Sequence, residues 1–467
     1  MIRRNVACAM VVVGMFTSIP ASAAATEWFV APGGTGTGTE RAPFGTVQAG
    51  LLVAQPGDTV LVRAGIYKEA VRTVRNGSAD APITLRAESG SRSVVITTDG
   101  KVLRVDHSFF VVEGLVLDAA YAPDEVVDVG VGGHVLVLRN VEVRRSSRDC
   151  VSIGATTSVL IEESLIHHCL NAAQGRTDAH GIVAGAVQGL TVRGTEIHTF
   201  SGDAIQLNRE GTASNLGWDR VLIERCRFWL APLAHAENGF PAGTVAGENA
   251  IDTKVSADSP RGRITIRNTR AWGFGGGLIS NQAAFNLKEH IDATVDGVTV
   301  WGSTIGFRLR GATGSSPNGA WVRIQNAVLY DVGVAIRYED NIENLRVWNT
   351  TLGRGVARAF QAASSRSDGL DVRNVVVLGT DLPREAVDAS NLAVGLEAFV
   401  DPASHDYQLT AESRAVDAGK TISGVVTDRS GVIRPCGRTY DVGAYEWCPS
   451  IGRSTPAAPT AVRVVRP

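Results

Sequence analysis

The chain has 467 residues, a formal net charge of −2 and only 20% charged residues, so overall charge gives no reason to hold nucleic acid or an anionic membrane surface. Its 51 glycines, abundant valine and three methionines suit many short strands joined by tight turns. Any binding site must come from a local concentration of charge.

The first segment, "MIRRNVACAMVVVGMFTSIPASA", has Arg3 and Arg4, an apolar run too short to span a bilayer, and small residues at Ala21, Ser22 and Ala23. It reads as a leader over 1–23 that is removed on secretion to the periplasm or exterior. No later stretch is apolar enough to cross a membrane. Cys8 leaves with the leader, so of six cysteines Cys150, Cys169, Cys226, Cys436 and Cys448 remain. Their odd number predicts a free thiol. Cys436 with Cys448 is the first disulfide candidate and Cys150 with Cys169 the second.

Residues 24–80 read as an N-terminal strand and cap. "FGTVQAGLLVAQPGD" puts Phe44, Val47 and Leu51 on one helical face and stops at Pro56-Gly57. Over 81–394 one pattern recurs: alternating apolar residues, a polar residue, a bend residue, then more apolar residues. "VLVLRNVEV" from Val135, "LTVRGTEI" from Leu190, "ITIRNTRA" from Ile264 and "VRIQNAVL" from Val322 are examples. The bends fall at Asn140, Glu163, Gly194, Arg225, Asn268, Gly297, Asn326, Asn349 and Asn374. Most are Asn or Gly, which tolerate a left-handed backbone. A fixed strand–bend–strand unit with variable insertions predicts an all-β fold, a right-handed parallel β-helix or solenoid. Residues 395–448 break the pattern and read as a C-terminal cap. The Pro- and Ala-rich 449–467 reads as a disordered tail.

The opening "EWFVAPGGTGTGTERAPFGTVQAGLLVAQPGDTVLVRAGIY" resembles the start of bacterial secreted β-helix proteins of the pectate-lyase-like superfamily. The closing "YDVGAYEW" is similar to their common C-terminal signature. The resemblance implies the fold and a secreted protein. It leaves open lyases, hydrolases, epimerases, adhesins and proteins without activity.

Aligning the short strand that precedes each bend strand gives "DCVSIG", "HGIVAG", "DAIQLN", "NAIDTK", "AAFNLK", "IGFRLR", "VAIRYE" and "RAFQAA". Their apolar pairs should face the core. One outward column is then Ser152, Val183, Gln206, Asp252, Asn286, Arg308, Arg337 and Gln361. The next includes Asn208, Lys254, Lys288, Arg310 and Glu339. Three cations on successive coils, about 4.8 Å apart, repel one another unless they serve an anion. The expected partner is an anionic polysaccharide carrying uronate units, bound by a monomeric chain.

The chemistry that fits is β-elimination, with Lys254 as base and Arg310 and Lys288 stabilising the substrate carboxylate. A free lysine, with a pKa of about 10.4, is a poor base at neutral pH. A neighbouring cation in a partly dry groove is one way to lower it. Gln206, Asn208, Asn286, Arg308, Arg337 and Glu339 are the candidate substrate contacts. Asp203, Asn249 and Asp252 are candidate ligands for calcium, the one cofactor the pattern allows.

"ENAIDTKVS" (248–256) and "FRLRGA" (307–312) resemble the lysine and arginine strands of the alginate lyase and chondroitinase B family. That resemblance implies Lys254 as base, Arg310 as its cationic partner and calcium nearby. The histidine that follows the family's arginine is absent, and Lys288 intervenes between the two. The plainer alternative is a salt-bridged surface in which Asp252, Glu289, Glu339 and Asp340 neutralise the cations. A non-catalytic glycan-binding or envelope protein is the other class. A glycoside hydrolase or epimerase ranks third, because "AHGI" precedes "GDAI" and the paired aspartates of β-helix hydrolases are missing. His180 reads as a surface histidine. Trp218, Trp229, Phe240 and Phe274 read either as sugar-stacking rings or as packing for the insertions.

Overall fold

The computed structural model describes residues 25–173, 178–208, 217–312, 318–339, 342–363 and 369–449. The predicted leader, the tail from 450 and Asp340 lie outside the described residues.

The chain winds as the expected right-handed parallel β-helix. One face is a 13-stranded parallel sheet running from Glu27–Val30 to Leu370–Arg373. The second and third faces run together in a 22-stranded sheet. Strands are short because each coil must turn a corner after every few residues. Alternation then sends every second side chain inward. On the first face Leu138, Ile161, Val192, Ile223 and Ile266 stack in register and are fully buried. On the third, Ile251, Phe285, Phe307 and Ile336 do the same, with the two phenyl rings stacked at 5.1 Å. Each such side chain contributes roughly 1.5–3 kcal/mol of burial, so the core outweighs any single surface ion pair.

All nine predicted bends have positive φ, from 44° at Asn349 to 66° at Gly297. Glu163 and Arg225 take this conformation too, at 49° and 54°. A second left-handed corner, between the second and third faces, falls at Arg145, His168, Thr199, Gly302 and Asp331.

The helix Val47–Val53 covers the N-terminal end. Thr46 caps it by accepting the Ala49 N–H at 3.2 Å, and the helix ends just before Pro56-Gly57. At the other end, the strands Phe399–Asp401 and Asp406–Leu409 pair antiparallel. There a fully buried ion pair joins Arg434 to Glu446 at 2.5 Å, and Arg434 also donates to Oδ1 of the bend residue Asn326. Disulfides join Cys150 to Cys169 and Cys436 to Cys448. Among the described residues Cys226 is the free thiol; burial pushes it up to about 12, which leaves it unreactive.

Candidate functional site

The third face carries the predicted columns in the predicted register. Gln206 pairs with Asp252, Asp252 with Asn286, Asn286 with Arg308, and Arg308 with Arg337. The same registers place Asn208, Lys254, Lys288, Arg310 and Glu339 on successive coils at the strand ends. The Lys254 backbone is fixed on both sides: its N–H donates to Leu207 at 2.8 Å, and its carbonyl accepts the Trp218 indole at 3.0 Å.

The cations are paired, as the salt-bridged alternative expects. Lys288 reaches Asp252 at 2.8 Å and Lys254 reaches it at 3.5 Å. Arg308, Arg310 and Arg337 converge on Glu339 at 2.9, 3.5 and 3.4 Å. Arg310 also lies 3.8 Å from Glu289. The pairs are layered, however. Side-chain exposure is 4–11% for Asp252, Glu289 and Glu339, against 18–30% for the five cations. The carboxylates form a floor and the cations stand over it. Like charges on adjacent coils are held by counter-charges beneath them.

Three buried atoms of this layer, Asn286 Oδ1, Glu289 Oε2 and Arg337 Nε, have no hydrogen-bond partner among the described residues. Buried polar atoms are ordinarily satisfied, so these stand out.

Next to the lysines lies a group of acids. Burial pushes Asp252 up to about 6, helped by Asp203 and opposed by Lys288 and Lys254. Glu248, half-buried, is pushed up to about 7 by burial and by Asp203, Asp178 and Asp252. A carboxyl poised near neutrality is suited to give or take a proton. The sequence reading met Glu248 only as part of the "ENAIDTKVS" resemblance and gave it no role in proton transfer.

The three candidate calcium ligands are engaged with the protein itself. Asp203 Oδ1 accepts both the Asn249 N–H and its side-chain amide, at 3.1 and 2.8 Å, and Oδ2 accepts from Gln206 at 3.1 Å. Asn249 Oδ1 accepts the Ala283 N–H at 3.1 Å. Asp252 accepts from Asn286 at 2.9 Å as well as from Lys288. A hard cation wants six or more oxygens, and these do not supply an open set. Among the described residues no group of three or more His, Cys, Asp or Glu is arranged to hold a metal.

His180 is corrected from a surface residue to a buried one, 4% exposed. Its Nδ1 accepts the Asp203 N–H at 2.8 Å, and its Nε2 lies 3.1 Å from the side-chain nitrogen of Gln206. It braces the floor of the groove. Trp218, Phe240 and Phe274 are buried and pack the insertions onto the coils.

Trp229 belongs to a ring stack on the second face that the sequence reading missed. His167, His198, Trp229, Trp272, Trp301 and Tyr330 stack coil on coil, with centroids 4.2–6.0 Å apart and planes within 13°. Ring faces cover ring faces, so only edges reach solvent and no flat platform is offered to a sugar. Burial and the neighbouring His167 hold His198 down at about 2, so it is neutral in the stack.

No family model matches the chain, and no curated protein matches it. Similar solved structures include a pectate lyase, 16% identical with a TM-score of 0.49, covering 90% of this chain and 96% of the other. An alginate lyase from Paenibacillus sp. str. FPU-7 is 15% identical with a TM-score of 0.43, covering 68% and 96%. A rhamnogalacturonan lyase is 12% identical with a TM-score of 0.47, covering 65% and 87%. At TM-scores below 0.5 this likeness carries no argument about chemistry, and the architecture rests on the parallel registers described above.

Proposed function

We propose that the chain is a secreted carbohydrate-active protein whose third-face groove binds a uronate polysaccharide and cleaves it by β-elimination. The observation that carries this reading is the run of one sign, Lys254, Lys288 and Arg310 on successive coils with Arg308 and Arg337 alongside, each more exposed than the carboxylate it pairs with. An incoming polymer meets the cations first.

In this reading Lys288 and Arg310 flank the substrate carboxylate and stabilise the enolate-like anion as it forms. Lys254, as the free amine, takes the proton from C5. The electron pair of that C–H bond becomes the C4–C5 double bond, and the glycosidic oxygen leaves C4. Glu248, protonated below about 7, supplies the proton to that oxygen. Asp252 is already taken by Asn286 and Lys288, so its hold on Lys254 is the longer contact, 3.5 Å. No step is routed through calcium.

That same contact favours the second reading, non-catalytic binding of the polymer, because it ties the Lys254 side chain to Asp252. Turnover separates the two. Mature protein is incubated with alginate, polygalacturonate and chondroitin, and ultraviolet absorbance of the unsaturated product is followed. The lyase reading expects a rising signal that Lys254→Ala lowers about 100-fold or more. A flat signal on every substrate, with binding retained, leaves only the binding reading.

A further inference from the structure

The third face continues beyond the candidate site toward the N-terminal cap. Its outward column descends from Asp252 through Gln206, Val183, Ser152 and Asp128 to Arg104 and Arg72, each in register with the next. Where the column ends, a cavity of about 550 Å³ opens beside the helix Val47–Val53, its polar lining supplied by Gln48, Arg72, Lys101, Arg104 and Asp106. That volume lies within the range of sites that hold small molecules.

The polar groups there are of two kinds. Lys101 is held by Asp124, Glu125 and Asp128 at 3.4, 3.1 and 2.7 Å. Arg104 is held by Asp106 at 2.7 Å and by Asp128. Such pairs set fixed donors beside fixed acceptors, which suits sugar hydroxyls.

Arg72 differs. It is exposed, and among the described residues its side chain has no ion pair or hydrogen bond. Only its backbone is tied down. Its N–H donates to Gln48 Oε1 at 2.8 Å, and its carbonyl accepts from Gln48 Nε2 at 3.2 Å. A free guanidinium at the mouth of a sugar-sized cavity suits a carboxylate, which it can hold with two parallel hydrogen bonds.

We infer that this cavity is a second saccharide subsite, in which Arg72 takes the carboxylate of a uronate unit far along the same polymer from Lys254. The inference rests on the reading of the groove as a polyuronate site. From Arg72 to Asp252 the column makes six strand-to-strand steps, a span of about 29 Å at about 4.8 Å per step. Only a chain several units long touches both stations, so the subsite sets a length requirement. Engaging the second station once the first is bound is intramolecular, and it raises affinity without any new contact at the first.

Calorimetry with size-fractionated oligogalacturonate and oligoalginate tests this on the full chain, comparing wild type, Arg72→Ala and Lys254→Ala. The Arg72 side chain is exposed and the Gln48 contacts use only its backbone, so Arg72→Ala keeps the fold. In wild type the long fractions are expected to bind at least about 10-fold tighter than the trimer. Arg72→Ala should abolish that gain while leaving Lys254-dependent binding of the trimer unchanged. Equal affinity of wild type and Arg72→Ala for long fractions, with binding still weakened by Lys254→Ala, overturns the distal subsite and leaves the groove reading standing. Absence of uronate binding at every length overturns both.

Discussion

Two ladders of charge run along this solenoid, and they follow opposite rules. On the first face Arg139, Glu162, Arg193, Glu224 and Arg267 alternate in sign from coil to coil, in register. Arg139 meets Glu162 at 2.7 Å, and Glu224 is shared by Arg193 at 3.0 Å and Arg267 at 2.7 Å. Every charge finds its partner on the next coil, and the column is complete in itself. On the third face Lys254, Lys288 and Arg310 repeat one sign, and Arg308 pairs in register with Arg337. Their counter-charges, Asp252, Glu289 and Glu339, do not alternate with them coil by coil and are more deeply buried than they are. The cations are the more exposed partners on both faces, 34–47% against 11–15% on the first, so what sets the third face apart is the repetition of one sign on successive coils, which leaves a cationic surface for something else to meet.

The comparison breaks most visibly at Asp252. Asp252→Ala leaves two lysines on adjacent coils with no counter-charge and takes an acceptor from Asn286. The expected loss is about 1–2 kcal/mol, less than for removing one partner of a fully buried pair, because the lysines reach water and burial of Asp252 already opposes its ionised form. Urea unfolding reads it directly, and a loss under about 1 kcal/mol would show that the floor does not hold the ladder.

Glu248, beside the third-face ladder, and Glu224, within the first-face ladder, should have pH dependence of opposite sign. Glu248 is pushed up from 4.5 to about 7, so its contribution to stability is present below about 4.5 and is lost as pH rises through about 7. Glu248→Gln should therefore match wild type in acid and exceed it above neutrality. The gain should be about 1–2 kcal/mol, discounted for partial exposure. Against the cost of burial, Arg267 and Arg193 hold Glu224 below its ordinary 4.5. Its contribution is present above that value and lost as pH falls, so Glu224→Gln should be less stable at neutral pH and equal in acid. Unfolding midpoints across pH that move the same way in both variants would contradict the contrast.

The smallest effect belongs to the alternating ladder itself. Arg193→Ala removes a partly exposed partner of Glu224 that Arg267 still serves. It should cost under about 1 kcal/mol by the same unfolding measurement.

Much of this was legible in the sequence, for identifiable reasons. Left-handed bends are costly for most L-residues, so Asn and Gly at Asn140, Gly194, Asn268 and Gly297 marked the first corner. Alternation within three-residue strands fixed the third-face register, because a slip of one residue would turn Ile251 and Phe285 outward. The second corner was illegible: Arg145, His168 and Thr199 hold positive φ without any residue-type signal. The layering was illegible too, because chain neighbours such as Asp252 and Lys254 do not reveal which side chain lies deeper. His180 looked exposed because nothing in "DAHGI" shows that Gln206 and Asp203 close over it. The ring stack was available but unread. His167, His198, Trp229, Trp272, Trp301 and Tyr330 each fall four residues after a bend, so a second alignment on the bends would have found it.

The measurement that most directly tests the central claim is polyuronate binding as a function of salt. Affinity for alginate or polygalacturonate is compared with that for a neutral glucan, in wild type and in Arg310→Ala. The layered cations predict tight binding of the acidic polymer alone, weakening steeply as salt rises and weakening further when Arg310 is removed. Equal binding of the neutral glucan, or acidic-polymer binding indifferent to both salt and Arg310, would contradict the account.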